Sequence, residues 1–199
     1  MPSISDAQFG HIAEHVKEEG GGSFDWNTAK PVEGPGFMAS YEGAEKPVEE
    51  ATPEVLKGYH SDPENQEMAA SHPDPYLGAW GANPTTLDVS RKIEDPKEAR
   101  DFGNENNQEA LFALRGTEVQ PGVKAEDVAN PWGANVLLRS HLEGDSDPRY
   151  QRHGDLFSAY EVENPDWDKV VGEHNGQPVT AGEVLRNLNR ARVMTARGE

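Results

Sequence analysis

The residues whose types and spacing come closest to chemistry stand near the start of the chain, in His11-Ile12-Ala13-Glu14-His15. The order matches H-x-x-E-H, a helical zinc-protease pattern. In it two histidines on one face hold the metal and the glutamate serves as base. Asp145-Ser146-Asp147 and Asp166-Trp167-Asp168 resemble the first half of a calcium loop, but neither is followed by the required glycine and late glutamate. The chain has no cysteine, which excludes disulfides, thiolate catalysis and Cys-bearing zinc sites. It holds no G-x-S-x-G, no phosphate-cradling glycine loop with lysine and no G-x-G-x-x-G after a strand.

The elements that must position these residues argue against a metal centre. Ser5 and Gln8 form a capping box, and Ile4 and Phe9 are placed as a hydrophobic staple. A helix is therefore expected over residues 5–19, with Phe9, Ile12 and Val16 on its inward face. His11, Glu14 and His15 then fall on the opposite, polar face. A catalytic zinc also needs a third ligand and a partly dry, shaped site. The motif is read as a solvated helix face, which leaves room only for weak surface binding of a transition metal. Gly20, Gly21 and Gly22 end the helix and act as a flexible joint, so that it docks as a separate arm.

The stretch with the clearest local logic runs from Pro73 to Leu114. Tyr76–Trp80 reads as a strand, residues 81–84 as a turn and Thr85–Arg91 as a second strand. Asp95, Pro96 and Glu98 cap a helix expected to reach Leu114, with a weak point at Gly103-Asn104. Asn106 and Asn107 share an arc with Ala99, Gly103 and Ala110, so they are expected to hydrogen-bond the backbone of neighbouring strands. Upstream, Phe37–Tyr41 reads as a short strand, while Thr52-Pro53 and Asp62-Pro63 each start a short helix. Downstream, Thr117–Val119 reads as a strand. Asn164-Pro165 starts a short helix carrying Trp167, Val170 and Val171, and Asn175-Gly176 is a turn. Thr180 and Glu183 cap a last helix whose Arg186, Arg190, Arg192 and Arg197 form the one basic segment.

Composition bounds the rest. In 199 residues, 36 acids face 18 bases, a formal net charge of −18, which disfavours nucleic acid as a ligand. Hydrophobic residues are 34%, and Gly 20 and Pro 15 are frequent. A small core with long irregular segments is expected, because little apolar surface is available to offset chain entropy. No stretch has the length of a membrane span or the form of a signal peptide, so synthesis in a cytoplasm is expected.

Gly36-Phe37-Met38-Ala39-Ser40, Pro53-Glu54-Val55-Leu56, Tyr76-Leu77-Gly78-x-Trp80, Leu87-Asp88-Val89-Ser90-Arg91, Glu98-Ala99, Asn107-Gln108-x-Ala110 and Leu114 follow one another in this order. Over roughly residues 24–120 this resembles a small uncharacterised module common in bacteriophages of actinobacteria. The turn between the two strands is shorter here than in the module. The resemblance implies a phage origin and carries no catalytic residues.

These readings converge on an α+β fold: a small antiparallel sheet around Tyr76–Arg91 with one covering helix, plus long irregular or extended arms. The expected organisation is an N-terminal helical arm over 1–22, a core module over 23–120 and a C-terminal region over 121–199. The expected function is non-enzymatic: a virion structural protein, whether minor capsid, decoration or head-assembly component. It would bind phage coat proteins, the major capsid protein first, and would be compatible with a homo-oligomer. An acidic inhibitor or DNA mimic, and an enzyme of unrecognised type, are the alternatives. No cofactor or metal is expected. The expected partner contacts are Phe9, Ile12, Val16, Trp132, Trp167, Arg186, Arg190 and Arg197.

Overall fold

The computed structural model describes residues 4–81, 84–108, 110–120, 123–129, 132–138, 160–162, 166, 168–174 and 176–183. The chain forms two compact units, one of Met1–Glu33 with Met38–Ile93 and one of Gly34–Phe37 with Glu94–Glu199. The fold is α+β, and its sheets are built from antiparallel pairs.

In the first unit, α1 (Asp6–Glu19) starts at the expected capping box, with the Ser5 N–H donating to Gln8 Oε1 at 2.9 Å. It stops at Gly20, whose φ of 80° suits glycine. Phe9, Ile12 and Val16 are 2%, 1% and 5% exposed. They are buried because α1 packs on α2 (Pro53–Ser61) and on β1 (Gly21–Asp25). The helix is therefore part of this unit rather than an arm, and the expected boundary at residue 22 falls inside β1. Gly21 and Gly22 are not a joint either, since they pair with Trp80 and Ala79. A Cβ at Gly21 would sit 2.8 Å from the Trp80 ring, so close strand approach selects glycine there.

The strand order is β1, β4 (Pro75–Trp80), β5 (Thr85–Ile93), β2 (Phe37–Ser40), with β3 (Lys46–Val48) also on β5. Registers place Phe24, Leu77 and Val89 in one row across β1, β4 and β5, and Ser23, Gly78 and Asp88 in the next. Side chains alternate between sheet faces. The first row is apolar and the second polar, yet both are buried. α2 and α3 (Pro63–Ser71) each begin with proline at the first helical turn, after Thr52 and Asp62 as caps.

In the second unit, α4 (Pro96–Glu105) ends well before Leu114. Gly103 and the amides after it are poor helix formers, and Asn107 takes a left-handed φ of 53°. The following Ala110–Leu114 is strand β6, paired with β9 (Gly133–Leu138), which pairs in turn with β10 (Tyr160–Val162). α4 packs on β6 and β9, where a Cβ at Gly103 would sit 2.7 Å from Leu138 and 2.9 Å from Leu111. Asn106 donates to the Phe102 carbonyl of its own helix, and Asn107 is exposed rather than packed among the strands. β7 (Glu118–Gln120) pairs with β8 (Val123–Lys124), leading into α5 (Ala125–Val128). Val170–His174 is a strand, β11, in a hairpin with β12 (Gln177–Thr180), not the helix expected there. Two adjacent β-branched residues suit a strand. Glu183 completes the expected cap, accepting from the Thr180 N–H at 2.9 Å.

Thr117 clamps this unit internally. Its buried hydroxyl accepts from the Gly36 N–H at 2.7 Å and donates to the Gly36 carbonyl at 2.9 Å. The carbonyl also accepts from the Leu114 N–H, so only the Gly36 N–H depends on Thr117 alone. Thr117→Val, of the same shape, is expected to cost about 2 kcal/mol in urea unfolding.

Candidate functional site

The helix that carries the zinc-like motif presents it as the amphipathic pattern requires. His11 and Glu14 are exposed, and His15 is half-buried with its ring edge-on to Phe24 at 5.3 Å. Among the described residues no group of three or more His, Asp or Glu is placed to hold a metal ion. The motif comes from helix periodicity, in which two histidines four apart share a face whatever the purpose.

The same helix borders a groove of about 590 Å³. Its apolar lining includes Ala13, Val16, Ala51 and Val55, and Thr52 and Thr85 add hydroxyls. It continues into a more open depression of about 770 Å³ that shares Ala13, Lys17 and Thr52 and adds Glu14 and Glu18. Glu49 and Glu50, both exposed, complete the rim. Lys17 is the basic residue among these lining positions. The start of α2 is held there by its cap, with Thr52 Oγ1 accepting from the Val55 N–H at 3.3 Å. Such a surface has an apolar floor, a negative rim and hydrogen-bonding side chains. It suits capture of a polypeptide segment that carries both apolar and cationic residues.

A second feature lies inside the sheet. Asp88, 2% exposed, sits over Gly78 with Ser23 in the same row and Ser90 and Ser40 nearby. Burial pushes its carboxyl up to about 7, while Ser90, Ser40 and the Trp80 side chain pull it back and Glu45 raises it further. Asp88 Oδ1, Ser90 Oγ and Ser23 Oγ have no hydrogen-bond partner. The influence of Ser90 is thus that of a nearby dipole rather than of a well-formed bond. The carboxyl occupies the space a side chain at position 78 would need. A buried acid of this kind holds a proton near neutrality.

His60 is half-buried beside Trp26. It stacks on Trp26 at 4.5 Å, and its Nε2 lies 2.9 Å from the Trp26 carbonyl. A carbonyl only accepts, so Nε2 carries the proton. Burial lowers the His60 pKa, opposed by that backbone bond.

The residues expected to meet a partner separate into three sets. Phe9, Ile12 and Val16 are taken up by the protein's own core, because α1 folds onto α2 and β1, and this corrects their expected role. Trp132 is 48% exposed. Trp167, Arg186, Arg190 and Arg197 lie outside the described residues. The groove and Asp88 were not singled out from sequence. Thr52, Pro53 and Val55 were legible as a helix start, but nothing in the sequence placed them beside α1.

Comparison with protein-family models, with curated proteins and with solved structures returned no match. No helix among the described residues is long and apolar enough to cross a membrane.

Proposed function

We propose that this chain is a structural protein of a bacteriophage virion, a minor capsid, decoration or head-assembly component that binds coat proteins, the major capsid protein first. The observation that carries the reading is the groove beside α1, with its apolar floor and its rim of Glu14, Glu18, Glu49 and Glu50. It has the make-up of a protein-binding surface rather than of a reaction centre. The resemblance of residues 24–120 to a phage module supplies the setting. The net charge of −18 suits an outer shell better than a surface lining a genome. Mass spectrometry of purified virions tests the reading. The chain is expected in particles at a fixed ratio to the major capsid protein, and its absence from particles overturns the proposal.

A further inference from the structure

We infer that the acid-rimmed groove of one copy receives the arginine-bearing C-terminal segment, residues 184–199, of a second copy. The inference deepens the proposed function and rests on it for its setting, because a shell component meets its own kind at high local concentration. The groove supplies carboxylates at Glu14, Glu18, Glu49 and Glu50 around an apolar floor. The matching composition occurs once in this acidic chain. Residues 184–199 hold Arg186, Arg190, Arg192 and Arg197 against the single acid Glu199, with Val184, Leu188 and Ala191 at helical spacing. The Thr180–Glu183 capping box opens a helix at residues 181–183, and the spacing of the apolar residues that follow in sequence is that of one helix face. An amphipathic helix laid in a groove is a recurring mode of recognition, and opposite charge on rim and ligand sets orientation and partner choice. The contact joins two different surfaces, so it propagates from copy to copy and closes into rings or extends along a lattice.

Charge exchange in the full-length chain tests this by sedimentation velocity at low and high salt. The wild type is expected to self-associate at low salt and to dissociate as salt rises. Glu49→Lys with Glu50→Lys, or Arg186→Glu with Arg190→Glu, is expected to weaken association by about tenfold or more. All four positions lie on the rim or in the arginine segment rather than in the described core, and circular dichroism checks that folding is kept. A mixture of the two variants is expected to associate, because lysines on one then meet glutamates on the other. One chain carrying all four changes should also regain self-association. A wild type that stays monomeric, a rim variant that associates like the wild type, or a mixture that stays monomeric each overturns the inference. Virion content is measured separately. A chain that associates in solution but is missing from particles would sink only the virion reading, and a monomeric chain found in particles would sink only this one.

Discussion

Gly78→Ala is expected to destabilise the protein by about 3 kcal/mol, at the upper end of the usual cost of overpacking. A Cβ at residue 78 would lie 2.3 Å from Asp88 Oδ1 and 2.6 Å from its Cγ. The carboxyl is on a short side chain in a fully buried position, so it cannot swing to solvent without opening the sheet. The cause is specific, which makes the test sharp. In Asp88→Ala the obstructing atoms are gone, and adding Gly78→Ala to that variant should cost far less than adding it to the wild type. A double-mutant cycle by urea unfolding is expected to show coupling of about 2 kcal/mol. Additive effects would mean that the Asp88 carboxyl does not fill the space above Gly78.

Asp88→Asn is expected to stabilise the protein at alkaline pH and to flatten its pH dependence. The carboxyl ionises near 3.8 in an ordinary setting and near 7 when buried here. The folded state therefore binds more protons through that window, and stability falls as pH rises from about 4 to about 7. The full penalty, present above pH 7, is about 4 kcal/mol, and rather more than half of it develops between pH 5 and pH 8. Asparagine keeps the shape and carries no charge. Other groups titrate as well. Burial lowers the His60 pKa, so its contribution runs the opposite way, present above about 6.5 and lost as pH falls below it. The general acidity of the chain also favours the folded state at lower pH. The measurement is thus the difference between wild type and variant in urea melts at pH 5 and pH 8. Parallel pH profiles for the two would sink the assignment.

The buried row gathers residues from two separate stretches of the chain. Gly78 and Trp80 belong to one of the quoted segments, Asp88 and Ser90 to another. In the fold Gly78, Trp80 and Ser90 stand around the Asp88 carboxyl. They are residues that hold a sheet together.

Local signals alone determined much of this protein. The α1 capping box, the Pro-initiated starts of α2, α3 and α4, the β4 and β5 strands and the Thr180–Glu183 cap all depend on residues within a few positions of one another. Helix caps and strand alternation are short-range physics, so they are readable without the fold. The tertiary structure decided what those elements touch. Ala110–Leu114 suits either a helix or a strand by composition, and pairing with β9 decides for strand. Val170–His174 is settled in the same way by β12. The Phe9, Ile12 and Val16 stripe shows in sequence as an apolar face, but only the packing of α1 on α2 and β1 shows that its cover comes from the same chain. Alternation put Asp88 opposite Leu87 and Val89, where a half-buried sheet would leave it in water. The sheet here is buried on both faces at that row, and burial from two sides depends on distant segments that no local pattern records. The groove beside α1 has the same origin, since Ala13, Val16 and Lys17, the Glu49–Val55 stretch, Gly81 and Thr85 converge only once the chain is folded.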